Sequence, residues 1–379
     1  MAKKTILGKT NKLNIGVLYG GRSGEHDVSL CSAASVFSAL DRNQYNVTAI
    51  GIARDGRWYV QEKPEIVPDK DFGKKMALKK RGLWLVNHFE QKNKLHLYNI
   101  KNKNKEVLVD VVFPVVHGTF CEDGTLQGLL ELAMVPYVGA DVTGSAIGMD
   151  KDMAKRLLKE AGIPVVPSIT AHKQSWKKTS KLILQEVLVR LGLPLFVKPV
   201  CAGSSVGVRK VKRQEELAQA INFAFQFDTR VMIEKAIDCR EIECAVLGNE
   251  NPAGSILGEI IPNHEFYSYE AKYIDPDGAA LQIPAQIKKS LSDKIRKFAV
   301  EGYKTLGCSS MARVDFFLDK KTDKFYLNEI NTLPGFTSIS MYPKLWAATG
   351  LKYSNLLNQL IALALDRHSR KLEIKTEGI

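Results

Sequence analysis

Apolar positions along the chain come in short runs separated by polar, glycine-punctuated stretches, and the period of each run predicts an element. Asn14–Tyr19 reads as a buried strand, G-G-R-S-G-E-H-D-V-S as the turn after it, and Val28, Cys31, Val36, Phe37 and Leu40 as the inner face of a helix. Val47–Ile52 and Trp84–Val86 are strand-like, although residues 45–105 as a whole suggest only sheet edge and lysine-rich surface loop. Val107–Val116 is a strongly apolar strand, and Leu126–Ala133 a helix. Asp150 is placed to cap a further helix that Gly162 and Pro164 terminate. Residues 171–192 predict an amphipathic helix ending at Gly192, and Pro194–Pro199, Val208–Val211, Val231–Glu234 and Glu241–Leu247 predict strands. Residues 286–306 form a helix on Ile287, Leu291, Ile295, Phe298 and Tyr303, and Tyr353–Leu365 another on Leu356, Leu357, Leu360 and Leu363. Residues 1–12 and His368–Ile379 read as polar ends.

One pair of runs carries candidate chemistry. Ala312–Leu318 and Phe325–Ile330 flank the polar segment Asp319–Lys324, a hairpin signal. Side chains alternate along a strand, so Arg313 and Asp315 share a face, as do Glu329 and Asn331. Folding back about the turn sets Asp315 opposite Glu329 and Arg313 opposite Asn331. Two facing carboxylates repel unless a proton or cation lies between them. Asp315, Glu329 and Asn331 beside an arginine therefore suggest a Mg²⁺ site that also holds phosphate, and hence a nucleotide. The hairpin alone fits a salt-bridged surface ribbon equally well. The segment after it, N-T-L-P-G-F-T-S-I-S, favours the ligand site, because such a loop presents N–H and hydroxyl groups.

Composition narrows the class. A chain of 379 residues predicts two or three domains, and 45% hydrophobic with 25% charged residues is ordinary for a globular protein. No apolar run approaches the roughly 20 residues of a membrane span, and M-A-K-K-T-I-L-G-K-T lacks a secretory core, so the cytosol is expected and no membrane partner. A net charge of +13 raises nucleic acid as a partner. The basic residues are scattered in short clusters (Lys74–Arg81, Lys92–Lys105, Arg209–Arg213) without a nucleic-acid module, so a solvated surface that mildly favours ATP is the better reading. Six cysteines without a C-x-x-C pair predict reduced thiols, and seven histidines without H-x-x-x-H spacing give no zinc signature.

Glycine turns supply the remaining candidates. Gly20, Gly21 and Gly24 do not have the Rossmann spacing. His117 ends an apolar run where α/β folds keep their sites, and Val200–Gly207 is a small-residue loop able to fold over phosphates. The aromatic, acidic segment H-E-F-Y-S-Y-E-A-K-Y-I-D-P-D-G is too polar for core and reads as a lid.

R-V-D-F…N-E-I-N-T-L-P-G-F-T-S closely resembles the metal-binding end of the ATP-grasp carboxylate–amine ligases, and of the D-alanine–D-alanine ligases among them. G-G-x-S-x-E-x-x-V-S, H-G…E-D-G-T-L-Q-G, M-D-K, the Gly-Ser-Ser loop and the strand end at Glu234 extend the resemblance from about Asn14 to about Asp366 in the expected order. It implies an α/β, three-domain ATP-grasp fold with an N-terminal Rossmann-like (pre-ATP-grasp) domain: residues 1–140, 141–237 and 238–379, with ATP between the last two. It implies ATP as co-substrate, with Lys151, Lys198 and Lys272 on its phosphates and the Ser204–Ser205 loop over them. Glu234, the backbone of Lys235 and Ile237, and Glu241 would meet the nucleoside. Two Mg²⁺ ions, replaceable by Mn²⁺, would lie on Asp315, Glu329 and Asn331, with Glu329 bridging. Glu25 would hold the first substrate's ammonium with His117 on its carboxylate side, Arg313 and the Gly335 N–H would stabilise the oxyanion, and Ser340 and Met341 would bind the second carboxylate. A triad of Glu25, Ser204 and Tyr273 would seal the site. The activity implied is joining of two D-alanines for cell-wall synthesis in the bacterial cytoplasm, by a homodimer, with Tyr273 favouring dipeptide over D-lactate ester. Cys201 and Ala202 depart from the family, which usually has a larger or charged residue there; this leaves the loop's backbone role intact but not a side-chain contact. A different ATP-grasp ligase would lack Glu25, His117 and the lid, and a non-catalytic nucleotide sensor would be expected to lose metal ligands or Arg313.

Overall fold

The structure is a computed structural model, and it describes residues 12–87, 93–102, 105–262 and 279–375. Along the chain, β1 (Leu13–Gly20) and α1 (His26–Ala39) precede β2 (Tyr45–Ile52), β3 (Trp58–Gln61), a separate ribbon of β4 (Ile66–Asp69) and β5 (Gly73–Met76), then β6 (Trp84–Asn87), β7 (Leu95–Asn99), β8 (Glu106–Val109) and β9 (Val111–Val116). Seven of these form one sheet in the order β8-β7-β6-β3-β2-β1-β9. β1 runs parallel to both β2 and β9, and its Ile15, Val17, Leu18 and Tyr19 are fully buried. Each such aliphatic side chain contributes roughly 1.5–3 kcal/mol. A strand covered on both faces reads as an unbroken apolar run, as this one does.

Next come α2 (Thr125–Leu132), α3 (Val142–Met149) and α4 (Lys151–Glu160). The Asp150 carboxylate caps α4 by accepting from the N–H groups of Asp152 (3.1 Å) and Met153 (3.0 Å). A second sheet, ordered β10-β13-β11-β12, is built from β10 (Ser168–His172), α5 (Lys173–Leu191), β11 (Leu195–Pro199), β12 (Arg209–Val211), α6 (Gln214–Ala224) and β13 (Arg230–Lys235). The third, ordered β16-β15-β14-β17-β18, follows from β14 (Cys239–Leu247), β15 (Ala253–Pro262), β16 (Ala279–Gln282), α7 (Lys289–Thr305), β17 (Met311–Asp319) and β18 (Phe325–Asn331). The chain then continues through α8 (Met341–Ala348) and α9 (Tyr353–Leu372). No described helix is long and apolar enough to cross a membrane.

Three apolar clusters hold these layers. The second sheet packs its own core against α5 and α6 through Trp176, Val187, Leu217 and Ile221. The third sheet packs against α7, and against α4 through Ala154 and Leu158. The first sheet shares its core with the far end of the chain: Phe336, Tyr342, Leu356 and Leu360 lie in the same cluster as Val17 and Phe113. Phe113 and Phe336 meet edge to face at 6.0 Å.

The elements differ from the sequence reading in several places. Val107–Val116 is two strands, because Asp110 turns its carboxylate to the backbone and side-chain N–H of Asn14 (2.8 Å each) and to Lys94 (2.9 Å). The helix expected from residue 171 starts at Lys173, since Ser168–His172 pair with β13 as a strand. α6 and α8 were not anticipated; α8 buries Met341, Tyr342, Pro343, Leu345 and Trp346, too many for a polar face to mark a helical period. α9 runs on to Leu372 through the expected polar end, where Arg370 pairs with Asp366 (2.6 Å) and Arg367 donates to the carbonyl of Tyr137 (2.8 Å).

Candidate active site

A cavity of about 790 Å³ opens between the second and third sheets and reaches the N-terminal end of α1. At its floor the hairpin β17–β18 has the register expected from the sequence: Asp315 pairs with Glu329 and Arg313 with Asn331. A bulge follows Asp315, so the ladder slips one residue between the polar end and the apolar Phe316–Leu318 end. Arg313 forks onto Asp315, with Nε to Oδ1 at 2.8 Å and Nη2 to Oδ2 at 2.6 Å, and its Nε lies 3.1 Å from Glu243 on β14. Burial opposes the guanidinium charge, but Asp315 and Glu243 outweigh it and hold Arg313 protonated beyond its ordinary range. Lys151, first residue of α4, stands 3.6 Å from Glu329 and donates to the Ala202 carbonyl at 2.8 Å, tying the hairpin to the glycine loop.

The wall above is a buried ion cluster. Glu234 on β13 accepts from Lys198 on β11 (2.7 Å) and, through its other oxygen, from Lys155 on α4. Burial alone would raise the Glu234 carboxyl, but the two lysines hold it below the usual carboxylate range. Burial lowers Lys155 despite that partner. Lys235, Ile237 and Glu241 line the cavity where β13 passes into β14, and the Lys235 N–H is taken by the Pro167 carbonyl (3.1 Å).

The opposite end belongs to the first sheet. Glu25 precedes α1 and accepts a hydrogen bond from the Ser204 hydroxyl. Ser204 (φ 49°), Ser205 (φ 58°) and Gly207 (φ 75°) are left-handed, which curls the loop towards the cavity. Gly118 is required where it is: its φ is +77°, and a Cβ there would stand 2.6 Å from a Glu25 oxygen. His117 Nδ1 donates to the Leu333 carbonyl (3.0 Å), its Nε2 lies 3.3 Å from Ser32 Oγ, and Glu122 is 3.7 Å away. Burial pushes Glu122 up, with Glu25 adding to it; the imidazole is raised too, because Glu122 and Glu25 outweigh its own desolvation. Gly335 and Ser340 adjoin, since a Cβ on Gly335 would lie 2.7 Å from Ser340 Oγ. Ser340 Oγ accepts from the Thr337 N–H (2.9 Å) and bonds its hydroxyl (2.7 Å). Met341 opens α8, whose first-turn N–H groups have no partner within the helix.

The residues singled out in the sequence thus line one cavity, except Lys272 and Tyr273, which fall outside the described residues. Four lining or supporting residues went unremarked. Glu243 lies two positions beyond Glu241 on one strand face and Lys155 one helical turn from Lys151, so both had a periodic signal, and Glu122 lies within the H-G…E-D-G motif. Phe72, at the tip of the β4–β5 ribbon, lines the same cavity beside Val28 and had none.

Family models described as D-ala D-ala ligase N-terminus and D-ala D-ala ligase C-terminus match residues 14–140 and 157–362. The D-alanine–D-alanine ligase A of Salmonella typhimurium (strain LT2) is 48% identical over 365 residues, covering 96% of this chain and 99% of its own. The D-alanine–D-alanine ligase of Shouchella clausii is 46% identical over 367 residues, covering 96% and 98%. Among solved structures, the D-alanine–D-alanine ligase from Coxiella burnetii superposes with a TM-score of 0.82 at 40% identity, over 96% of both chains. VanG D-Ala:D-Ser ligase from Enterococcus faecalis does so with a TM-score of 0.80 at 36% identity, over 93% of this chain and 100% of that one. With its N-terminal and C-terminal parts both matched in order and the ATP-grasp architecture present, the chain belongs to the D-alanine–D-alanine ligase family.

Proposed function

We infer that the chain joins two D-alanine molecules at the expense of ATP, through an acyl phosphate, to supply D-alanyl-D-alanine for peptidoglycan synthesis. The observation that carries this reading is one cavity lined by Glu25 and His117 and, across the Ser204–Ser205 loop, by Lys151, Lys198 and the Asp315–Glu329 pair. A carboxylate is a poor electrophile, so the first D-alanine's carboxylate oxygen attacks the γ-phosphorus and ADP leaves. The second D-alanine, its amine deprotonated, attacks the acyl carbon; the tetrahedral oxyanion collapses and expels phosphate. Glu25 holds the first ammonium, with His117 on the carboxylate side. Arg313 and the Gly335 N–H face the oxyanion, and Ser340 with the start of α8 takes the second carboxylate. Lys151, Lys198 and Lys272 meet the phosphates beneath the Ser204–Ser205 loop, and Glu234, Lys235, Ile237 and Glu241 the nucleoside. Glu25, Ser204 and Tyr273 close the site against water.

Asp315, Glu329 and Asn331 suit Mg²⁺ by chemistry: hard oxygen donors at paired positions on adjacent strands, with Arg313 and Lys151 balancing the two carboxylates. These three residues would hold two Mg²⁺ ions, or Mn²⁺ in their place. When bound, the metal screens phosphate charge and polarises the transferring phosphoryl group. The division at residues 1–140, 141–237 and 238–379, residence in the bacterial cytoplasm and a homodimeric state are part of the same reading and are supported by the family resemblance.

Phosphate release measured with ATP, MgCl₂ and a panel of D- and L-amino acids tests it. D-Alanine alone should drive release coupled to dipeptide formation. Equal rates with L-alanine, or none with either, would refute it. The fold's likeness to a D-Ala:D-Ser ligase makes D-serine the informative competitor for the second site, and D-lactate the next.

A further inference from the structure

Three ionic side chains stand in line from the cavity wall inwards. Lys198 and Glu234 line the cavity; Lys155 lies behind them on α4, 5% exposed, with Glu234 at 2%. Each Glu234 oxygen is held by a different lysine, Oε1 by Lys155 and Oε2 by Lys198 at 2.7 Å. Formal charge on the trio is two lysines against one carboxylate, +1 in all. Because Glu234 is already matched from behind, that surplus falls on Lys198, the member of the trio at the front. Remove Lys155, and the remaining Glu234–Lys198 pair is neutral.

A buried third charge is not cheap. Desolvating an ion costs several kcal/mol, and buried ion pairs are weak stabilisers of a fold. A lysine kept there without reaching the cavity therefore calls for another role. α4 also carries Lys151 one turn earlier, so a single helix sets both the cation at the glycine loop and the counter-charge behind the wall.

We propose that Lys155 is a positioning residue for the nucleotide: by holding one oxygen of Glu234 it leaves Lys198 with a net positive charge directed at the cavity. This rests on the nucleotide-binding reading above and assigns a residue that touches neither ATP nor amino acid. The substrate ends of the cavity, at Glu25 and at Ser340, lie on other elements, so the effect is confined to nucleotide affinity.

The test is calorimetric titration of ADP with MgCl₂ into full-length wild type, Lys155→Met, Lys155→Gln and the charge-conserving Lys155→Arg, each checked for a cooperative melt. Steady-state rates are measured alongside. Lys155→Met and Lys155→Gln should both weaken ADP binding about tenfold and raise the KM for ATP in parallel, with the KM for D-alanine unchanged and kcat at saturating ATP within about threefold. Lys155→Arg, which keeps the wall at +1, should retain most of the affinity. Glutamine retains a hydrogen bond to Glu234 without charge, so its loss separates charge from packing and keeps the test available if methionine impairs folding. Wild-type affinity in Lys155→Gln, or equal weakness in Lys155→Gln and Lys155→Arg, would overturn the assignment. Failure of wild type to bind ADP would instead refute the nucleotide reading, and the assignment with it.

Discussion

Gly335→Ala probes the second-substrate pocket proposed at Ser340 with a single methyl group. The backbone at Gly335 does not need glycine's conformational freedom, so the substitution acts through contact alone. Its Cβ would lie 2.7 Å from Ser340 Oγ, closer than a real methyl group approaches, so the hydroxyl must rotate away. Rotation breaks its bonds to the Thr337 N–H (2.9 Å) and hydroxyl (2.7 Å). At about 1 kcal/mol for each hydrogen bond, about 2 kcal/mol of the ordering that holds the Ser340 hydroxyl in place is lost, which sets a ceiling of about 30-fold on the loss of affinity for the second D-alanine's carboxylate. The Gly335 N–H survives, so oxyanion stabilisation and nucleotide binding should persist. Initial rates against D-alanine at saturating ATP should show the second, weaker binding phase displaced by up to about 30-fold, with kcat reduced less than fivefold and the KM for ATP unmoved. Ser340→Ala removes the collision partner, so the double variant should be no worse than Ser340→Ala alone, a coupling of up to about 2 kcal/mol between adjacent sites. Independent, additive losses would refute the argument, as would an unaltered second phase in Gly335→Ala.

Gly118→Ala puts a Cβ 2.6 Å from Glu25 at a φ of +77°; it should weaken first-substrate binding at least tenfold and lower the melting temperature, while ADP titration stays at the wild-type value. Glu329→Gln should abolish phosphate release without unfolding the chain. Because Glu329 is partly exposed and faces Lys151 at 3.6 Å as well as Asp315, the melting temperature without ligand should move by no more than about 3 °C, read by scanning fluorimetry. The Asp110 carboxyl is raised by burial but lowered more by Lys94 and the Asn14 amides, for a net depression. Its stabilisation is therefore present above the unfolded carboxylate value of about 3.9 and disappears as pH falls through the lower folded value. Thermal melts between pH 6 and 2.5 should show wild type converging on Asp110→Asn in the acid limb; a constant gap would refute that linkage.

The hairpin was legible down to its register because alternation and a short polar turn determine which side chains face each other, and Asp315, Glu329, Arg313 and Asn331 pair as expected. β1 and β9 were legible because double-sided burial leaves a continuous apolar run. What the pattern hid was set by distant partners. Ser168–His172 has little apolar signature and is a strand because β13 lies beside it. α8 is buried against β14 and β15 of the third sheet and against α9, so no period shows. Phe72 reaches the cavity only through the packing of the β4–β5 ribbon on α1, a contact between segments with no common pattern. The expected lid, His264–Gly278, lies outside the described residues.

The core shared by the first sheet and the chain's last helices bears on how such enzymes can be recombined. Phe113 on β9 packs on Phe336, His117 bonds the Leu333 carbonyl, and Arg367 on α9 donates to the carbonyls of Gly139 and Tyr137. A chimaera that took residues 1–140 from one relative and everything else from another would unite two half-interfaces that were never selected together. A discontinuous unit, residues 12–140 with 333–372, keeps that interface intact and exchanges the contacts of α8 with β14 and β15 instead. A transplant of that composite should carry the pockets proposed for both amino acids as one inheritance and leave the recipient its own proposed nucleotide site.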